Sequence, residues 1–462
     1  MSIWIPNINK ESLPIYRTLA KTIQKAVEDG ELLPGDKLLP HRQMAEKIGM
    51  NIGTVARGYN LASSWGFLTS KVGRGTIVRD PMNVTQNIPL HVNDTYLNLG
   101  ILQPAPVTEP DLKNRAYEET LKIVGENWKK QAFFGYPPEF GYRHHREAGA
   151  TWLSRRGLQV SPDEVLLTLG TQEAFQLLLS AYTRAGDTIL VENYTNFALK
   201  NLGNFLGLKM VGVEIDDQGI VPDHLDEMAK RTKAQILFLT PTYNSPTTGT
   251  LSSNRRKKIV EIACRRNLFI IENDPYAEFI DNVPRPIAYH APERTAYITT
   301  LSFLGPPEIR IGYLKIPSKN LPELQAAKRA MSISSPLITA EIATHWINTG
   351  ILEDLVRWQL GEISARAKTA LQILKGCDYH YSLNGQFLWL YLPEPWRATD
   401  FANTAKDRKV IVIEADRFVI SRDPALHAVR ISLTSPRSKD LTEKGLRTIV
   451  DLINNPAKIS PL

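Results

Sequence analysis

The 462 residues are too many for one hydrophobic core and suit two or three domains, and 43% hydrophobic with 22% charged residues excludes a disordered or fibrous chain. The formal net charge is +7, and residues 1–80 hold 11 Lys and Arg against 7 Asp and Glu, so the positive excess gathers at the front, where a polyanion would bind. No apolar run approaches the roughly 20 residues of a membrane helix, and the first six residues lack the basic-then-apolar pattern of a secretory signal; no membrane partner and a cytoplasmic location are expected. Cys264 and Cys377 lie far apart without metal-ligand spacing around them, so they are expected to be plain buried side chains and no metal site is expected.

From Pro14 to Asp29, Ile15, Leu19, Ile23 and Val27 recur at helical spacing, and Gly30 with Pro34-Gly35 ends the helix. A second helix is predicted over residues 42–48, closed by Gly49. A third starts after Asn51, a good N-cap, and runs through Thr54, Val55, Arg57 and Tyr59 toward Trp65. Two short helices around a tight Gly turn make a helix-turn-helix pattern. Segments 67–71 and 76–79 flank Gly73-Arg74-Gly75 as a β-hairpin with a basic tip, a wing behind a recognition helix.

Residues 12–79 closely resemble the winged helix-turn-helix of GntR-type regulators through Ile15-Tyr16, Pro34-Gly35-Asp36-Lys37-Leu38, Arg42-Gln43-Met44-Ala45, Gly49, Thr54-Val55, Arg57, Tyr59, Gly66 and Gly73-Arg74-Gly75-Thr76. The resemblance implies double-stranded DNA as a partner. Arg42, Thr54 and Arg57 would meet the DNA, and Arg74 would reach the groove or backbone from the wing. Asn51-Ile52 departs from the Ser-Arg often found there, and Gly53 and Gly58 each weaken a helix interior by about 1 kcal/mol relative to Ala.

The expected layout is a DNA-binding domain at 1–79, a polar, Pro-containing linker at 80–95, a large domain at 96–350 and a small C-terminal α/β subdomain at 351–462. Apolar runs at 164–169, 187–191, 209–213, 235–240, 268–271, 296–301 and 312–316 alternate with helical stretches, which predicts an α/β fold with a doubly wound, mainly parallel sheet.

Within that layout, Gly170-Thr171-Gln172-Glu173-Ala174 opens a helix after a strand, where free backbone N–H groups attract phosphate. The chain resembles aminotransferases of the pyridoxal-phosphate (PLP) fold type I at this turn and at four further stretches: Phe134-Gly135-Tyr136-Pro137, Asn244 in 241–249, Glu272-Asn273-Asp274-Pro275-Tyr276, and Val429-Arg430-Ile431-Ser432-Leu433. The resemblance implies that Thr171, Gln172, Ser302 and Arg310 hold the phosphate and Tyr136 is lent to the neighbouring subunit's phosphate. It further implies that Asn244 meets the ring hydroxyl, that Asn273 and Tyr276 flank the ring, and that Arg430 forks onto a carboxylate.

In the stretch 299–313, Thr-Thr-Leu-Ser-Phe-Leu-Gly-Pro-Pro-Glu-Ile-Arg-Ile-Gly-Tyr, the family's Schiff-base Lys would stand seven or eight residues before Arg310, at Phe303 or Ser302. No Lys occurs from Thr295 to Leu314. Asn273 stands where the family carries the Asp that pairs with the pyridinium, and Asn196 where an aromatic covers the ring, with Tyr194 as a candidate substitute and Asp274 as a candidate compensating carboxylate.

The two resemblances together cover about residues 12–440 and identify a MocR-like transcription regulator. They imply a head-to-tail homodimer that senses a small-molecule effector, with PLP held non-covalently at most and no catalysis. A PLP-dependent aminotransferase with a DNA-binding appendage is the alternative. A pocket that takes another phosphorylated or carboxylated ligand is a third reading.

Overall fold

The structure, a computed structural model, describes residues 4–8, 14–33, 35–64, 67–71, 75–78, 95–130, 136–332, 334–335, 337–421 and 425–456. The chain forms two compact units, the first N-terminal and including the short segment Ser421–Leu426, the second holding the rest.

In the first unit, α1 (Ile15–Glu28), α2 (His41–Ile48) and α3 (Ile52–Ser64) precede a hairpin of β1 (Leu68–Lys71) and β2 (Gly75–Val78), with Leu68 opposite Val78. Leu19, Ile23, Met44, Val55, Tyr59 and Leu68 bury together as its core. Gly49 ends α2 at φ 63°, a left-handed position that Gly adopts without the Cβ clash. Asn51 caps α3 by accepting the Gly53 N–H at 2.8 Å. Gly58 has a packing role that its helix propensity hides: a Cβ there would lie 2.7 Å from Leu19 Cδ2. The two glycines expected to weaken α3 therefore differ, since only Gly58 admits the close approach of α1 to α3.

The second unit begins with β3 (Leu97–Asn98), α4 (Pro110–Lys113), a six-residue π-helical stretch Asn114–Glu119, α5 (Thr120–Lys130) and α6 (Arg143–Ser154). The large sheet then builds from β4 (Val165–Thr168), α7 (Thr171–Tyr182), β5 (Thr188–Glu192), α8 (Phe197–Phe205), β6 (Lys209–Val213), a small hairpin of β7 (Ile215–Asp216) and β8 (Gly219–Ile220), α9 (Pro222–Thr232), β9 (Ile236–Leu239), α10 (Ser253–Arg266), β10 (Phe269–Asn273), α11 (Ile287–His290), β11 (Thr295–Thr300) and β12 (Gly312–Lys315).

Its order is β4-β12-β11-β10-β9-β5-β6. All neighbours are parallel except β12, which is antiparallel to β11 and β4. The edge strand β4 and the inner strands β9, β11 and β12 are buried at every position, as expected of strands covered by helices on both faces. The predicted mainly parallel α/β sheet is thus observed, and each of the seven apolar runs supplies one of its strands.

Two helices, α12 (Leu321–Met331) and α13 (Leu337–Thr349), lead to the long α14 (Ile351–Ile373). After them come β13 (Tyr379–His380), β14 (Phe387–Tyr391), α15 (Ala398–Asp407), β15 (Val410–Ile411), β16 (Ile413–Glu414), β17 (Ala428–Ser432) and α16 (Lys439–Asn454). The four-stranded antiparallel sheet β13-β14-β17-β16 buries Leu388, Leu390, Val429 and Ile431 against Leu446 and Ile449 of α16. Leu97 of β3 pairs with Val410 of β15 in a separate two-stranded sheet, so the start of the second unit packs against the core of the small subdomain.

One expectation is corrected: Cys264 is exposed, on the outer side of α10, and Cys377 is half-buried, in the bend after α14 where it packs against the core of the small subdomain. No helix of the described residues is long and apolar enough to cross a membrane.

Candidate functional site

Open α/β sheets bind ligands beyond the carboxyl ends of their parallel strands, and the predicted residues concentrate there. Gly170 follows β4 at φ 78° and serves as N-cap of α7, so Thr171 and Gln172 supply the first free backbone N–H groups of that helix. A Cβ on Gly170 would sit 3.5 Å from Arg310 Nη2 and 3.6 Å from Ser302 Oγ, which locates both side chains around the open start of the helix. Arg310 Nη2 donates to Leu169 O at 3.1 Å, and the Thr300 hydroxyl donates to Ser302 Oγ at 3.0 Å. A cationic guanidinium, a hydroxyl and a helix N-terminus converge as an anion cradle.

A second group lies at the ends of β5, β9 and β10. Asn273 is 2% exposed; its Nδ2 donates to Thr240 Oγ1 at 3.2 Å, while its Oδ1 has no donor. Asn244 accepts the Thr247 hydroxyl on Oδ1 at 2.9 Å, and its buried Nδ2 finds no acceptor with hydrogen-bond geometry. Glu192 accepts the Thr240 N–H at 2.9 Å. Its burial pushes the carboxyl up to about 8, against the lowering effect of Thr240 and Asn244, so it holds its proton at neutral pH. Asn244 turns its amide toward the Glu192 carboxyl, whereas the unused buried acceptor on Asn273 leaves a place for a polar ligand group, since buried polar groups otherwise find partners.

Arg430 on β17 forms the third group. It is buried, donates Nη1 to Ser245 Oγ at 2.7 Å and Nη2 to Gly100 O at 2.7 Å, and leaves Nε without an acceptor. Phe418 and Phe387 lie 4.9 and 5.7 Å from its guanidinium carbon. Burial lowers its pKa to about 10, partly offset by Tyr276 and Tyr243. A buried guanidinium held by neutral partners favours an incoming carboxylate or phosphate.

Tyr276 is buried and joins the groups through its ring, 5.0 Å from Phe303 and 5.7 Å from Phe387. Gln386 Nε2 reaches the Phe303 carbonyl at 3.4 Å. Two substitutes named from the sequence are engaged elsewhere. Tyr194 packs edge-on against Trp389 at 6.2 Å and bridges to Val419, and Asp274 accepts the Tyr297 hydroxyl at 2.8 Å with Arg156 3.8 Å away. Asn196 spends its side chain capping α8, accepting the Ala198 N–H at 2.8 Å. Tyr136 stands apart, 79% exposed. Sequence reasoning missed Ser245, Glu192 and Phe418. Ser245 adjoins Asn244 in a loop already singled out, whereas only the fold brings Phe418 to Arg430.

On the first unit, Arg42 is exposed at the start of α2 and Thr54 half-buried on α3. Arg57 is exposed and folds back along α3, donating Nε to Gly53 O at 3.4 Å with its guanidinium carbon 5.7 Å from the Tyr16 ring centre. Ile52, the second helix-start departure, is 50% exposed. Arg74 lies outside the described residues.

Residues 107–449 match the aminotransferase class I and II family, and residues 15–78 match the gntR family of bacterial regulatory proteins. An uncharacterized HTH-type transcriptional regulator of Bacillus subtilis, YdeF, is 27% identical over 98% of this chain and 97% of its own. The HTH-type pyridoxine biosynthesis transcriptional regulator PdxR of Corynebacterium glutamicum is 25% identical over 74% of this chain and 75% of its own. Among solved structures, an archaeal alanine:glyoxylate aminotransferase superposes with a TM-score of 0.72 at 25% identity, covering 81% of this chain and 96% of its own. The chain belongs to the aminotransferase class I and II family, carried behind a GntR-type winged helix in the MocR-like arrangement.

Proposed function

We propose that the protein is a DNA-binding transcription regulator whose aminotransferase-like domain dimerises and senses a small molecule without covalent or catalytic chemistry. The observation that carries this reading is Phe303. Its apolar ring packs 5.0 Å from Tyr276 beside Ser302, in the stretch where the family pattern requires a Lys amine. The division of labour follows residues 1–79 for DNA, 80–95 as connection, and 96–350 with 351–462 as the sensor.

The residues fit PLP as a non-covalent ligand. Its phosphate would be held by Ser302, Arg310 and the backbone at Thr171 and Gln172, and its ring by Asn244, Asn273 and Tyr276. Arg430 would take a carboxylate on the same or a second ligand. Bound PLP supplies an electrophilic aldehyde and an electron-accepting ring. This chain's residues support holding it, not using it: Phe303 offers no amine, and Asn273 lacks the charge by which a carboxylate raises a partner cation's pKa by roughly 1 to 3 units. The exposure of Tyr136 suits a side chain lent to a partner subunit, in keeping with a head-to-tail homodimer.

For DNA, Arg42, Thr54, Arg57 and Arg74 are the proposed contacts. Replacing Arg57 by Ala should weaken specific binding by about 1 to 3 kcal/mol if it reads a base, and binding overall should fall steeply with salt as counterions are released. Gel-shift titration of a promoter fragment at two salt concentrations tests this. Equal affinities for the parent and Arg57→Ala proteins would remove Arg57 from the interface.

A further inference from the structure

We propose that His144 and His145 on α6 and Glu341 on α13 form a binding site for a first-row divalent metal ion, of the Zn2+ class, that clamps the two helices together. None of the three belongs to the ligand pocket or to the DNA-contacting surface.

Geometry carries the assignment. Both imidazoles aim Nε2 at the same carboxylate oxygen, Glu341 Oε1, at 2.7 Å from His144 and 2.8 Å from His145. The three ligand atoms all lie within 4.8 Å of one another, the one such group of His, Cys, Asp and Glu side chains among the described residues. Tetrahedral Zn2+ with bonds of about 2.0 to 2.1 Å needs its ligand atoms roughly 3.3 Å apart, so the two His–Glu separations of 2.7 and 2.8 Å have to open by about half an ångström to admit the ion, with the two His nitrogens already within 4.8 Å of each other.

The surroundings fit as well. The His145 side chain is 1% exposed and that of Glu341 10%, so packing fixes two ligands in advance. The His144 side chain is 41% exposed, which gives the ion an entry path and leaves a position open to water. Tyr142 walls one side, its ring centre 5.9 Å from the His144 ring and 5.8 Å from the His145 ring. Two His and one carboxylate with a fourth position open is a recurrent Zn2+ ligand set. On binding, each neutral ring shifts from the Nε2–H to the Nδ1–H tautomer, Nε2 losing its proton to solvent and Nδ1 taking one up, so that the Nε2 lone pair meets the ion while the carboxylate passes from hydrogen-bond acceptor to metal ligand. The expectation from cysteine spacing that the chain holds no metal site did not weigh this cluster, because Glu341 lies almost 200 residues from the histidines.

Co2+ titration of the full-length, metal-stripped protein tests the proposal, read as visible absorption and as thermal shift. Saturation at one equivalent and a raised melting temperature are expected. His144→Ala leaves the buried His145 and Glu341 pair in place, so its fold should survive, as circular dichroism would verify. Its Co2+ affinity should drop by more than the roughly 10- to 100-fold that losing an outer-shell partner costs. Glu341→Gln should lose the absorption likewise. Equal Co2+ binding by the parent and His144→Ala proteins, or no saturable binding by the parent, would overturn the site.

Discussion

In the proposed reading, Phe303 and Asn273 set the chemistry of the pocket. Each is a neutral side chain where the resemblance implies a charged one, with Phe303 packed against Tyr276 and Asn273 bonded to Thr240. Restoring the pair as Phe303→Lys with Asn273→Asp should produce a visible absorption band on adding PLP that the parent protein lacks. A folded double variant that stays colourless would show that the pocket has drifted away from this ligand altogether. At this scale, much of the site was legible: Ser302, Arg310 and Gly170 converge as the motif spacing implies. Tyr194 was not legible, because its partner Trp389 is 195 residues away and nothing local marks the contact.

At the level of elements, α3 shows how packing overrides propensity. Replacing Gly58 by Ala would gain about 1 kcal/mol of helix propensity. It would also drive a methyl against Leu19 at 2.7 Å, and overpacking of this kind costs about 1 to 3 kcal/mol. Net destabilisation is expected, read as a lowered denaturant midpoint for the first unit, whereas Gly53→Ala, whose Cβ meets only the Asn51 side chain at 3.3 Å, should be neutral or stabilising. The helices with clear stops and the fully buried strands were readable in advance because each carries its own periodicity or apolar run. The two-residue strands β3, β7, β8 and β13 were not, since two residues hold no period and only their partners define them, whereas the apolar run 410–413 already marks β15 and the start of β16. The π-helical turn at Asn114–Glu119 likewise leaves no sequence mark.

Across the whole molecule, buried carboxyls tie stability to pH. Burial pushes Glu192 up to about 8 and Glu272 up to about 7, well above their ordinary value. The folded protein therefore holds protons through neutral pH that the unfolded chain has already released. Stability should fall as pH rises from the ordinary carboxylate range through the raised folded values, and level off beyond them. Chemical denaturation at about pH 6 and about pH 9, below and above the raised values, reads the slope, and Glu192→Gln should flatten it; an unchanged slope would mean that Glu192 ionises normally.

This member of the aminotransferase class I and II family is proposed to hold its ligand without a covalent bond. This is tested most directly by adding PLP to the full-length protein, reducing with borohydride and measuring the intact mass with peptide mapping. No adduct is expected at the pocket. A stoichiometric adduct on a lysine lining that pocket would contradict it, and with it the assignment of Phe303 to the place of the missing amine.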